Sequence, residues 1–147
     1  MRARLVCLFF GLLVLSGCVQ LGVTPRSAGE IQGARFATTQ PLNLYGSFGG
    51  YPDKTITSYF AVPFRIANRF HTELGALPVG TTMEIVDGVD RTAFGVPHSR
   101  IYRVRLAPEL AARFRLKENL VELSHHQLIE QVKGGAPRLR EEYFRRL

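Results

Sequence analysis

Histidine, serine and clustered carboxylates are the side chains with which a small chain does acid–base, nucleophilic or metal chemistry. The four histidines are His71, His98, His125 and His126. On a helix the adjacent pair His125-His126 diverges by about 100°, so the two rings cannot easily share an ion. The zincin spacing H-E-x-x-H is absent. His71-Thr72-Glu73 matches the H-x-E piece of zinc deaminases, but their P-C-x-x-C partner is missing. Asp87-Gly88-Val89-Asp90 has the wrong spacing for a calcium loop and reads as turn chemistry. Neither metal nor cofactor is therefore expected. Tyr45-Gly46-Ser47-Phe48-Gly49 departs from the nucleophile elbow G-x-S-x-G at its first position, so Ser47 reads as a turn residue. Gly46–Gly50 also lacks the lysine of a phosphate loop. No catalytic residue is assigned and an enzyme is not expected. The competing reading, a small cell-wall or lipid hydrolase, would use His71 or His125 as base and needs that ring within about 3 Å of a serine or carboxylate.

Charge is the stronger signal. The chain has 147 residues and a formal charge of +7, and among its 19 basic residues only Lys54, Lys117 and Lys133 are not arginine. Residues 18–99 balance six basic against six acidic residues, whereas residues 100–147 hold eleven against six. Within that C-terminal third, Tyr102, Arg103 and Arg105 are the candidate binding residues. The two arginines stand two apart in an alternating run and so share a face if that run is a strand.

The elements that must position these residues read as one α+β domain over 35–147: a small, mostly antiparallel sheet with short helices packed on it. Strands are expected at 34–38, 42–45, 55–62, 81–86 and 101–106, from β-branched and aromatic content and alternation. Helices are expected at 63–74, after Pro63; at 108–116, after Pro108; and at 138–147, where Leu139, Tyr143, Phe144 and Leu147 form a stripe. Residues 117–133 fit either a helix or a strand at 120–124. Hydrophobic content of 46% and charged content of 21% are those of a folded globular chain and exclude a disordered or multi-span one.

The N-terminus carries an address. Arg2 and Arg4 precede an uncharged apolar run from Leu5 to Gly17. That is too short to cross a bilayer, which takes about 20 residues, and suits the core of a cleaved signal peptide, here residues 1–17. Leu15-Ser16-Gly17-Cys18 resembles the lipobox of bacterial lipoproteins. The resemblance implies cleavage before Cys18 and acylation of its thiol and new amino group, with lipid such as diacylglycerol and palmitate. Val19, in place of the Asp that retains such proteins at the inner membrane, resembles an outer-membrane sorting signal. Cys7 leaves with the signal and Cys18 is acylated, so no thiol remains for a disulfide. Residues 18–34, rich in Gly, Pro and Ser, are expected to be a lipidated tether of about 20–25 Å reach.

A second resemblance concerns 38–106. Thr38-Thr39-Gln40-Pro41-Leu42-Asn43-Leu44, the run Leu77–Val86 and Ile101-Tyr102-Arg103-Val104-Arg105-Leu106 resemble strands of bacterial SH3-type domains, which would imply a small barrel and cell-wall peptide binding. The chain departs from that pattern in having no Trp, in Tyr45-Gly46-Ser47-Phe48, and in the helix expected at 63–74. Together these readings define an expected lipid-anchored envelope lipoprotein, periplasmic and facing inward from the outer membrane. Its soluble domain would bind a protein partner or peptidoglycan, and not nucleic acid. An inhibitor or immunity protein against an envelope-directed toxin, using the loop 46–54, is a further alternative.

Overall fold

The computed structural model describes residues 22–26, 28, 31–50, 52–93, 96–132 and 137–147, and for 22–26, 90–93 and 96–100 the backbone alone. The expected signal peptide, residues 1–17, and the expected acylation site Cys18 lie outside the described residues. Eleven strands and one helix make up the described fold: β1 Gly22–Arg26, β2 Arg35–Thr38, β3 Leu42–Phe48, β4 Ile56–Val62, β5 His71–Leu77, β6 Thr82–Ala93, β7 Val96–Leu106, α1 Pro108–Arg113, β8 Leu120–Leu123, β9 Ile129–Glu130, β10 Arg138–Leu139 and β11 Phe144–Arg146. The expected α+β class is therefore corrected to a mostly β fold built on one large sheet, with a single short helix among the described residues.

The sheet runs β11-β2-β6-β7-β8-β4-β3-β5, with β1 added on β6 and a separate β9–β10 pair. All its ladders are antiparallel except β4–β8. Its connections show that it is not flat. β2 and β3 stand five strand spacings apart in the sheet, about 24 Å if flat. Yet the chain covers the step from Thr38 to Leu42 in four Cα–Cα intervals, at most about 14 Å. The step from β5 to β6, across the same five spacings, is nearly as short, with five intervals from Leu77 to Thr82 and at most about 18 Å. The sheet must curl until its two halves approach. Thr38 fastens them: its Oγ1 donates to the Pro78 carbonyl (2.8 Å) and accepts the Thr81 N–H (3.0 Å), while its carbonyl accepts the Gly80 N–H (2.8 Å). Gly80 turns that corner at φ +83°.

Alternation supplies the core. Leu42 and Leu44 from β3, Met83 and Ile85 from β6, Tyr102, Val104 and Leu106 from β7, and Val121 and Leu123 from β8 are all essentially fully buried in one cluster. Two tyrosines in the sheet hold the irregular stretches: Tyr45 Oη accepts the Ile66 N–H (2.8 Å) and Tyr59 Oη accepts the Lys117 N–H (3.0 Å).

Two of the expected helices do not form. Over 63–74, Asn68 Oδ1 accepts the Phe70 N–H in an Asx turn and Tyr45 takes the Ile66 N–H. From His71 on the backbone pairs with β3 as an edge strand. Over 138–147, Tyr143 and Phe144 N–H both bond the Arg140 carbonyl in a tight turn, and Phe144–Arg146 pairs with Thr38–Phe36. A ten-residue helix is marginal by itself, and the open edge of β2 offers the same backbone a ladder instead. The ambiguous stretch contains β8 at Leu120–Leu123, and α1 ends at Arg113. At the N-terminal side, β1 falls inside the stretch 18–34 and runs antiparallel to Gly88–Thr92, and Ala28 is buried.

Candidate functional site

Each residue singled out in the sequence has a definite place. Tyr102 has no exposed surface, and its hydroxyl donates to the Pro137 carbonyl at 2.8 Å. It ties β7 to the stretch before β10. Arg103 lies opposite Asp87 in the β6–β7 ladder and grips it with both arms of its guanidinium, Nε to Oδ1 at 2.7 Å and Nη2 to Oδ2. On its other side β8 places Glu122 opposite. Hydrogen bonding to Asp87 holds the Arg103 guanidinium still more firmly protonated than usual, with burial opposing and the charges of Asp87, Glu122 and Glu118 adding. Arg105 lies opposite Glu84, with Nη1 3.5 Å from Oε1. The strand reading put Arg103 and Arg105 on one face. The structure adds two carboxylates, so that face is a charge-paired ladder.

Ser47 and His71 are cross-strand partners in the β3–β5 ladder. No hydrogen bond joins them: His71 Nδ1 is buried without a partner among the described residues, and the ring meets the edge of Phe60 at 4.8 Å. His71 lines a cavity of about 410 Å³ with Phe48, Lys54, Arg69 and the half-exposed Phe70. Asp53, at the same cavity, accepts the Thr55 N–H (2.8 Å) and hydroxyl (2.7 Å), which hold its carboxyl below the usual range. His125 packs on Phe64 at 4.6 Å and on His126 at 4.1 Å between ring centres. Burial, then the neighbouring His126, pushes its pKa down. Among the described residues no three His, Cys, Asp or Glu side chains come together as metal ligands. No helix among them is long and apolar enough to cross a membrane.

A larger concavity lies elsewhere among the described residues, about 650 Å³ between β2, β10, β11 and the turn at Ile31. Phe36, Leu139 and Phe144 form its largely buried floor, and Arg138, Arg145 and Arg146 are exposed around it, with Glu141 the one acid among the described lining residues. Thr39 stands at one end, its hydroxyl spent on the Glu142 carbonyl at 2.6 Å. Reading 138–147 as a helix hid this groove, because it turned the apolar stripe toward a core contact. The available signal was the composition itself: four arginines among ten residues, alternating with Leu139, Tyr143 and Phe144.

Comparison with protein-family models, with curated proteins and with solved structures yields no match to this chain.

Proposed function

We propose that the chain is a lipid-anchored protein of the bacterial envelope whose β domain binds another envelope component without chemically altering it. The observation that carries this reading is the lipobox-like Leu15-Ser16-Gly17-Cys18 standing only three residues before β1. With an anchor at Cys18, every described element would follow it on the exported side. Two or more acyl chains on one cysteine hold a protein at a bilayer durably, since each buried methylene contributes about 0.8 kcal/mol. Confinement to a surface then raises the local concentration of neighbouring components, so a modest intrinsic affinity is enough for binding.

Binding is favoured over hydrolysis by the state of the chemical groups. The cross-strand pair Ser47 and His71 is not hydrogen-bonded, and Asp87 and Glu84 are engaged by arginines. The partner is a protein or peptidoglycan. The test is to express the full chain in a bacterium with an outer membrane and supply an alkyne-tagged palmitate. Label should enter the wild-type chain and be absent from Cys18→Ser, with the wild type in the membrane fraction. In parallel, in-cell crosslinking followed by isolation of sacculi and membranes assigns the partner. An unlabelled wild-type chain, or a labelled Cys18→Ser chain, rejects the anchor.

A further inference from the structure

We infer that the groove between β2, β10 and β11 binds an anionic amphiphile: a single alkyl chain capped by a carboxylate or phosphate. The inference rests on the envelope reading only in naming where such a ligand would be met. Its physical basis is independent. Two unlike surfaces meet at one place. The floor is hydrocarbon and aromatic, from Phe36, Leu139 and Phe144. The rim is cationic, from Arg138, Arg145 and Arg146 against the carboxylate of Glu141, the one acid among its described lining residues.

These arginines differ from those of β7. Arg103 and Arg105 are neutralised across the ladder by Asp87 and Glu84. Arg138, Arg145 and Arg146 form no ion pair with any described residue and remain exposed. A guanidinium fork is shaped to grip a planar carboxylate or a phosphate through two parallel hydrogen bonds. A volume of about 650 Å³ falls in the range that buries a small organic molecule. A purely polar anion would leave the floor unused, and a neutral hydrocarbon would leave the rim unused. A peptide added as a further strand is disfavoured because β11, the edge beside the groove, offers only three residues of ladder.

The test uses the protein as isolated from its bacterial host, acylated or not, in zwitterionic phosphatidylcholine nanodiscs, with methyl-labelled Ile and Leu followed by NMR. Dodecyl phosphate and dodecanoate are titrated below their micellar concentrations. Inorganic phosphate and dodecyltrimethylammonium serve as the head-only and opposite-charge arms. Saturable shifts at Ile31 and Leu139 are expected with one or both anionic amphiphiles, and comparison of the two tells phosphate from carboxylate preference. Neither control arm should saturate. Arg145→Gln/Arg146→Gln, whose exposed positions spare the fold, should weaken binding about tenfold or more.

Absence of saturation, equal binding of the cationic amphiphile, or unchanged affinity in the double variant would overturn the inference. So would an acidic peptide without an alkyl chain that shifts the same methyls as strongly, because it would make the groove a peptide site. The palmitate experiment separates this from the broader reading: the groove can bind in a chain that is never acylated in cells, and an acylated chain can leave it empty.

Discussion

A hydroxyl and a ring nitrogen each decide something at the level of one residue. Tyr102 looks from its sequence like a contact residue beside two arginines, but alternation in β7 turns it inward and its hydroxyl donates to the Pro137 carbonyl. Tyr102→Phe keeps the ring in the core and strands a carbonyl. A loss of about 1–2 kcal/mol is expected, read as a lower urea midpoint at unchanged slope. A larger loss with a changed slope would mean that the hydroxyl organises more than this bond. His125 gives a pH dependence. Its folded pKa lies below the unfolded value of about 6.5, so between the two the unfolded chain binds more protons. That contribution to stability is present above pH 6.5, declines as pH falls below it, and is gone below the folded pKa. Thermal melts between pH 8 and pH 5 should show a decline that is shallower in His125→Phe, which keeps the contact with Phe64. An unchanged slope in the variant would assign the decline to other groups.

Elements show where the sequence was legible and where it was not. Strands expected at 34–38, 42–45, 55–62, 81–86 and 101–106 correspond to β2, β3, β4, β6 and β7, because each carries β-branched or aromatic residues in alternation, a purely local signal. The lengths of β6 and β7 were not legible, since Gly88 and Pro97 resemble breaks until a long partner strand holds them. Short edge strands were misread as helices for a related reason: β5 and β11 exist because β3 and β2 offer open edges, which no local pattern records. Gly75 shows the ambiguity in one residue. It reads as a helix stop, and it sits beside a bulge in β5, at φ +139°, where a Cβ would lie 2.7 Å from the Phe114 ring. Gly75→Ala should cost about 2 kcal/mol or more in denaturant unfolding, and a neutral result would show that Phe114 moves freely. The end of α1 predicts the opposite sign. Leu116 N–H bonds the Ala111 carbonyl and Arg115 N–H the Ala112 carbonyl, with Arg115 in the left-handed region at φ 55°. This is the Schellman closure, a glycine position filled by arginine. Arg115→Gly should therefore stabilise by about 0.5–1 kcal/mol in the same assay; destabilisation would mean that the arginine side chain makes a compensating contact.

Across the whole molecule, the short link between anchor and sheet fixes how the domain would stand on a membrane. If Cys18 carries lipid, only residues 19–21 separate it from β1, so Gly22 lies within about 14 Å of the anchor. Gly22 is paired with Thr92, next to the end of the long β6–β7 hairpin. With that anchor, this end would face the bilayer. The opposite end of β6 begins at Thr82, and the β5–β6 turn with its exposed Val79 lies just before it. From Arg91, which pairs with Ser99, back to Thr82 the strand runs about 30 Å along its axis. With Cys7 removed and Cys18 acylated the chain would have no free thiol, so Ser99→Cys and Val79→Cys would each introduce a single site for a spin label. With the lipidated protein on vesicles, the Ser99→Cys label should lie within about 20 Å of the headgroups and the Val79→Cys label at least about 20 Å farther out, measured by relaxation from a paramagnetic headgroup lipid. Equal depths would mean that β1 leaves β6 when the chain is anchored. A reversed order would place the anchor at the other end of the sheet and exclude Cys18 as its site.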